Sequence, residues 1–484
     1  MKIKEIIYKE EYLLSEVDAN IEFSILSTNP KTQEKDFLLI LTKDEYIISD
    51  FTDNMPIAVI CGINTILPNN IPSIRVVNPR ATLANAYFRY EKIDLNSCTL
   101  IGITGTNGKS STAGFIHETL SNLGHKVGLI GTGKISIGNK VITNDRYSMT
   151  TPDPSMLYPT LRRMTDEGCD IIVMEVSSHA LALDKLAPLK FDYGLFTNLT
   201  PEHLDFHQNI DNYFLAKNKL FSMSKCGIFN IDDPYARKAM KLFEGRKISS
   251  GIVFRGDVYA TNIDNHGLNG INYIYHGLDF YFKLQLKTPG LFNVYNSMMA
   301  IAACIDIGEK PCLVKECMKE ITPIAGRYQI IQDDITVVID YAHTDYAFYN
   351  ILKELHGLKT KAEITVIFGC GGMRDKTKRP KMAETAERFA NKIIITTDNP
   401  RTEDPKEIIA DIIKGFKNTC YVINENRKDA IRTAILSATT GEIIAILGKG
   451  CEKYFINAAG YIDYDEEKIV KSALKERKEK IICE

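Results

Sequence analysis

Short apolar runs recur along the chain, and from about residue 99 each stops abruptly at a polar or glycine-rich stretch. TLIGIT ends at GTNGKSS, DIIVM at EVSSH, YGLF at TNLTPEH and GIFNI at DDP. Helix-like segments lie between them. Strands that are apolar throughout, alternating with helices, predict a parallel, doubly wound sheet whose two faces are both covered. The same logic restarts near Gly326, where TVVID ends at YAHT, TVIF at GCGGMRD, IIIT at TDNPR and IIAIL at GKGCEKY. Between about 250 and 288 the alternation has period two, which predicts a β-rich insertion, and a helix follows near Asn293. Ahead of residue 99 the pattern is weaker, with strand-like runs at 37–41 and 57–60 and a helix over 79–92. The expectation is an α/β protein of three domains, 1–97, 98–325 and 326–484. In such sheets ligands bind beyond the carboxyl ends of the strands, where the polar stretches fall.

Composition adds mainly exclusions. A length of 484 residues agrees with about three domains at roughly 150 residues each. Lys plus Arg is 59 against 61 for Asp plus Glu, so no basic excess points to nucleic acid or a membrane surface. No apolar stretch is long enough to span a bilayer, and acidic residues interrupt the N-terminus before a signal-peptide core forms. The 11 cysteines include no C-x-x-C pair, and several, such as Cys98, Cys169 and Cys370, fall at strand-like edges. Reduced, half-buried thiols in a cytoplasmic protein are expected.

The sharpest motif is GITGTNGKSS, residues 102–111. Gly105 and Gly108 let the backbone turn tightly, so that Thr106, Asn107 and their neighbours aim N–H groups at phosphate oxygens. A helix predicted over 110–123 directs its positive end at the same anion. Lys109 can neutralise the β and γ phosphates, Ser110 can ligate Mg²⁺, and Ser111 opens the helix beside them. The plain alternative is a glycine-rich turn; a strand before and a helix after are what the phosphate loop demands.

TGTNGKSS, MEVSSHAL, TNLTPEHLDFH, the AK of YFLAKNKLF, PGLFNVYN, AGRYQ, DYAHT, GCGGMRDKTKRP, DNPRTEDP and GKGCE occur in that order. Together they resemble the Mur ligases, the ATP-dependent amino acid ligases of peptidoglycan assembly, from about residue 100 to the C-terminus. The resemblance implies a UDP-type substrate domain, a central P-loop ATPase-type sheet and a C-terminal Rossmann-like domain. It also implies ATP and Mg²⁺, and an amide made through an acyl phosphate. The chemistry brings two anions together, so cations and backbone dipoles should dominate the site.

Carried onto this chain, the resemblance makes Lys109, Glu175, His203 and Lys217 the catalytic set. Ser110, Glu175, His203 and a carbamylated Lys217 would hold metal. For an unmodified Lys217 the alternative is a helix-surface cation, as expected of Lys219; Thr197 and Asn198 should order the loop before His203. Asn293 and Asn296 match adenine contacts, Arg327 a phosphate contact reached from the third domain, and Asp340 a ribose contact with His343 close by. Ser27, Thr150, Thr151, Ser177 and Lys185 match acceptor positions. Arg374, Asp398, Asn399, Pro400, Arg401, Gly448 and Glu452 match contacts to the added amino acid.

The DNPR stretch matches the form that takes meso-diaminopimelate, because an arginine can grip its distal carboxylate with two parallel bonds. The implied reaction adds meso-diaminopimelate to UDP-MurNAc-L-Ala-D-Glu, in a monomer. Departures from the family pattern are Cys451 for His, Met373 for Asp, Asp345 for Pro and Lys185 for Arg. At the front the usual DSR is Ser27-Thr28-Asn29, and the loop that follows is shortened to LTKDEYIISD. Two rivals stay open: a paralogous ligase using another carboxylate acceptor or L-lysine, and an inactive nucleotide-binding scaffold.

Overall fold

The computed structural model describes residues 1–8, 11–47, 50–51, 54–68, 71–143, 149–358, 362–418 and 421–483. Three sheets dominate.

The first sheet has the strand order Tyr12–Ser15, Ser73–Val76, Ala58–Gly62, Phe37–Ile40, Ile25–Ser27. It is parallel except for its first edge strand. The runs expected at 37–41 and 57–60 are its fully buried middle strands. The short edge strands carry too few residues to show a period, and the sequence pattern missed them. Asn78 caps the helix Pro79–Tyr90 by accepting from the Ala81 N–H at 3.1 Å, with Pro79 in the first turn. That helix packs on the helix Pro154–Asp166 of the second unit. One hydrophobic core consequently runs from Ile3 and Ile60 through Tyr87 to Leu161 and Phe196. The first unit is joined to the second by continuous apolar packing.

The second sheet has eleven strands. Its middle is parallel: Arg246–Gly251, Ser224–Asn230, Phe191–Phe196, Thr99–Thr104, Ile171–Glu175 and Val127–Gly131. The parallel reading holds for this middle only. At one edge Lys134–Ile137 and Lys140–Val141 turn back antiparallel. At the other, the β-rich stretch continues the same sheet as Val258–Asn265, Ile271–His276 and Tyr281–Leu286. Its period-two pattern reflects one buried and one solvated face. The helix Lys109–Asn122 packs on this sheet beside the largely apolar helix Leu291–Ile307.

The third sheet runs Gln329–Gln332, Thr336–Asp340, Ile443–Leu447, Ile364–Phe368, Lys392–Ile395, Val422–Ile423, parallel after its first strand. Asp340 and Phe368 are both in register with Leu447, so the polar stretches after them emerge side by side. The nine cysteines whose side chains are described are free, and most are buried. No helix among the described residues is long and apolar enough to cross a membrane.

Candidate functional site

A cleft of about 900 Å³ opens between the second and third units, within the usual range for small-molecule sites. Its walls carry Thr106–Ser111, Thr150, Glu175, His203, Asn293, Asn296, Arg327, Asp340 and His343. Arg374, Asp398, Asn399, Arg401, Gly448 and Glu452 complete it. Of the positions read from the sequence, Ser27, Gly105, Thr151, Ser177, Lys185, Lys217 and Pro400 do not line this cleft.

The phosphate loop is built by backbone constraint. Gly105 has φ 144° and Gly108 φ 87°, left-handed values that favour glycine. A Cβ on Gly105 would run into Thr197 Oγ1, and one on Gly108 into Asn296 Oδ1. The strand end holding Thr197 and Asn198 fixes the loop from the side. Asn198 accepts from the Asn107 N–H at 2.9 Å and donates to the Asn107 carbonyl at 3.0 Å, to which Thr197 also donates at 2.6 Å. Lys109 opens the following helix and folds back to donate to the Gly105 and Thr106 carbonyls, both at 2.9 Å. Lys217, wholly buried on the helix Ile210–Ser222, donates to the same Gly105 carbonyl at 2.7 Å and lies 4.5 Å from the Tyr213 ring centre.

Among the described residues neither lysine has an acidic partner within ion-pair distance. Burial pushes the pKa of Lys109 down, and burial together with the Lys109 charge pushes that of Lys217 well down. A buried amine whose protonated form is disfavoured is the chemical prerequisite for carbamylation, since only the neutral amine is nucleophilic.

Glu175 ends its strand in register with Ile103, which places its carboxylate beside the loop. It accepts from Ser110 Oγ at 2.9 Å, from the Thr132 N–H at 2.9 Å and from Thr132 Oγ1 at 3.1 Å. Thr132 in turn meets Thr150 at 3.0 Å, and Thr151 donates to the Glu175 carbonyl at 2.8 Å. Arg327 crosses from the start of the third unit and donates to Ser110 Oγ at 2.9 Å. Its Nε is buried without a partner, as is Asn107 Nδ2. Two unsatisfied donors beside a glycine cradle and two lysines are what a polyphosphate would satisfy.

His203 sits in the left-handed region, φ 56°, at the turn after the strand end. Burial pushes its pKa down to about 4, so the neutral ring keeps a lone pair available for a cation near pH 7. The His179 ring centre lies 4.8 Å from its own and the Tyr213 ring centre 6.3 Å away.

Glu202 was not singled out from the sequence. Its carboxylate lies 3.6 Å from His203 Nε2 and 3.2 Å from His343 Nε2 of the third unit. Burial alone would raise its pKa, yet His203, hydrogen bonding to His343 and the field of Lys109 hold it well below the usual carboxylate range. Its place between two residues that were singled out was the only available signal. Among the described residues no three His, Cys, Asp or Glu converge as a metal cage. A Mg²⁺ ion here would need phosphate oxygens to complete its shell, as is usual for Mg²⁺.

Asn293 and Asn296 are buried on one helix face, linked at 3.2 Å. Asp340 accepts the backbone N–H groups of Tyr328 and Ala342, each at 2.7 Å, so it also fixes the strand-end turn. Burial raises its pKa.

The amino-acid end is a side-chain network. Glu452 accepts from Asn399 at 2.8 Å, Lys449 at 3.0 Å, Tyr454 at 2.9 Å and Tyr341 at 3.3 Å. Lys449, fully buried, also donates to Asn399 Oδ1 at 2.8 Å; the sequence reading passed over it as part of a glycine-rich turn. Burial opposes the charge of Asp398, but Lys449 and Arg427 keep its pKa low. Arg401, held at φ 57°, donates to the Gly372 carbonyl at 2.9 Å and the Asn399 carbonyl at 3.3 Å. Burial and the neighbouring Arg374 both work against its charge. Among the described residues Arg374 and Arg401 have no acidic partner within ion-pair distance, so an anion placed between them would find two cations. Pro400 shapes this turn, its carbonyl lying against Gly372.

The acceptor positions are less gathered. Ser177 caps the helix Ser178–Ala182 by accepting from the Ala180 N–H at 3.2 Å. Lys185 is paired with Asp153 at 2.6 Å, so its charge is already matched. Ser27 lies in the first unit, its hydroxyl closing a turn on Asn29 at 3.1 Å. Within LTKDEYIISD, residues 48 and 49 lie outside the described residues. Of the departures, Cys451 Sγ faces the Thr132 carbonyl of the second unit at 3.9 Å, and Met373 occupies a left-handed turn with φ 53°.

Two family profiles match the chain: the Mur ligase middle domain over residues 103–304, and the Mur ligase glutamate ligase domain over residues 326–450. A relative from Clostridium acetobutylicum, UDP-N-acetylmuramoyl-L-alanyl-D-glutamate–2,6-diaminopimelate ligase 1, is 38% identical, covering 98% of this chain and all of its own. A solved structure of a UDP-N-acetylmuramoyl-L-alanyl-D-glutamate–2,6-diaminopimelate ligase superposes with a TM-score of 0.67 at 25% identity, covering 99% of both chains. The MurF ligase of Thermotoga maritima, solved with ADP, shares the fold at 16% identity and a TM-score of 0.61, covering 94% of this chain and 98% of its own.

Proposed function

We propose, from the premise that this chain belongs to the Mur ligase family, that it adds meso-diaminopimelate to UDP-MurNAc-L-Ala-D-Glu at the expense of ATP. As a member of that family it is an ATP-dependent ligase. The division is 1–97 for the acceptor's nucleotide end, 98–325 for ATP and 326–484 for the amino acid, in a cytoplasmic monomer. The observation that carries the reading is the meeting at Ser110 of the phosphate loop, Glu175 and Arg327, the last brought from another unit.

In this reading the loop N–H groups and Lys109 hold the phosphates, with Asn293 and Asn296 toward the base and Asp340 with His343 toward the ribose. Arg327 reaches toward the transferring phosphoryl group from the third unit, so the site needs both units together. Ser110, Glu175, His203 and a carbamate on Lys217 would hold Mg²⁺, which when bound would neutralise charge on the phosphate oxygens. The acceptor carboxylate attacks the γ-phosphorus, ADP leaves and an acyl phosphate remains. The amine of the incoming amino acid then displaces phosphate. Thr150, Thr151 and Ser177 lie toward the acceptor peptide. Arg374 and Arg401 receive the distal carboxylate of meso-diaminopimelate, and Glu452 faces its distal ammonium.

A second reading has one observation behind it. Lys185 is matched by Asp153, and among the described residues of the cleft wall none comes from 1–97. A different carboxylate acceptor is therefore the rival. A phosphate-release screen decides between them: UDP-MurNAc-L-Ala-D-Glu and related acceptors, each against meso-diaminopimelate and L-lysine. Release that needs both UDP-MurNAc-L-Ala-D-Glu and meso-diaminopimelate is expected. Turnover with another acceptor alone would replace the proposal by its rival, and ATP binding without turnover for any pair would leave a scaffold.

A further inference from the structure

Tyr341 touches both Arg327 and Glu452. It follows directly on the strand Thr336–Asp340, with its side chain in the cleft wall. The Arg327 guanidinium lies over its ring, 4.4 Å from the centre. The ring edge meets His343 at 4.6 Å between centres. Its hydroxyl donates to Glu452 Oε1 at 3.3 Å, the oxygen that Tyr454 also reaches. Gly450 makes room for it: a Cβ there would press on the Tyr341 Cβ at 2.8 Å. One residue thus touches the cation that bonds Ser110 of the phosphate loop and the carboxylate that anchors Asn399 and Lys449.

We infer that Tyr341 is a positioning residue that couples the amino-acid pocket to the phosphate arm, so that amino acid bound at Glu452 aligns Arg327 for ATP. The inference rests on the proposed placement of ATP and the amino acid at the two ends of the cleft. Its physics is a shared side chain. An ammonium drawn to Glu452 competes for the oxygen that the Tyr341 hydroxyl contacts, and any shift of the phenol moves the face on which the guanidinium rests. Cation–ring contacts depend on that geometry. Coupling of this kind is reciprocal: whatever the amino acid does for ATP affinity, ATP does for amino acid affinity.

Two variants separate the hydroxyl from the ring. Tyr341→Phe keeps the face under Arg327 and removes the donor to Glu452. Its KM for meso-diaminopimelate should change by about five- to ten-fold, with the KM for ATP within about two-fold of wild type. Tyr341→Leu removes the face as well, and its KM for ATP should rise too. The decisive measurement is the Kd of a non-hydrolysable ATP analogue, with and without saturating meso-diaminopimelate. Wild type should show tighter analogue binding with the amino acid present, and both variants should lose most of that difference. Equal changes in both KM values for Tyr341→Phe, or an undiminished difference in its analogue Kd, overturn the inference. Tyr341→Phe decides the matter even if Tyr341→Leu does not fold. Wild type serves as the control for the underlying reading: if it turns over no ATP with meso-diaminopimelate, the proposed function fails first, and independently of Tyr341.

Discussion

The two ends of the cleft both gather cations, but they hold them by different means. At the phosphate loop, Lys109 and Lys217 rest on backbone carbonyls, and the loop is shaped by two glycines in left-handed conformations. At the amino-acid end Lys449, Asn399, Tyr341 and Tyr454 converge on one carboxylate, Glu452, while among the described residues Arg374 and Arg401 have no acidic partner within ion-pair distance. The first is organised by main chain and suits a ligand common to many enzymes. The second is organised by side chains, which substitution can alter one at a time. Nucleotide handling should therefore be fragile and invariant here, and amino acid choice graded and adjustable.

The largest effect should come from Lys109→Ala. No other described cation occupies the same place in the loop, and single-turnover acyl-phosphate formation should fall at least about 1,000-fold. A rate near wild type would break the comparison at its stronger end. Lys217→Ala should be nearly inactive, with partial recovery when short carboxylates such as formate or acetate are added to stand in for the carbamate. An active wild-type crystal form with Mg²⁺ bound and Lys217 unmodified would contradict that.

Arg401→Ala tests the other end. Truncating one partner of a buried charge pair costs about 2–5 kcal/mol, so specificity for meso-diaminopimelate should drop by roughly 30-fold or more. The loss should be far smaller for L-lysine, which lacks the distal carboxylate. Equal losses for both amino acids in two-substrate kinetics would remove Arg401 from that role.

The smallest effect lies away from both ends, just before the strand Val127–Gly131. His125 is clasped between Asp170 at 2.6 Å and Glu309 at 2.7 Å, beside Lys126. Burial works against its charge, but the bonds to Glu309 and Asp170 outweigh it and raise its pKa. The clasp therefore stabilises the fold fully below the unfolded histidine value of about 6.5, and its contribution is lost as pH rises through the raised folded value. His125→Gln should flatten the pH dependence of the melting temperature between about pH 6.5 and the raised folded value, by about 1–3 °C. An unchanged profile would show that the clasp is electrostatically idle, and the cleft should be unaffected either way.

Legibility followed sequence distance. The phosphate loop, the buried strands and the helix beginning near Asn293 are contiguous stretches, each stating its conformation through local pattern: apolar runs, left-handed glycines, a lysine at a helix start. The edge strands Tyr12–Ser15 and Ile25–Ser27 and the short inner strand Ser73–Val76 were not legible, because three or four residues carry no period. Glu202 and Lys449 were passed over because a single acid or lysine in a turn reads as solvated until its neighbours are known.

The sequence by itself determined the alternation of strands and helices, the phosphate loop and the order of the motifs. Backbone propensity and burial act over a few residues, and a chain of this pattern has few ways to satisfy them. Tertiary structure alone decided the pairings across the cleft. Arg327 meets Ser110 across 217 positions, Glu202 meets His343 in another unit, Lys185 is matched by Asp153, and Tyr341 stands between Arg327 and Glu452. A hydrogen bond or ion pair depends on separations of a few ångströms between side chains whose distance along the chain carries no information about their distance in space.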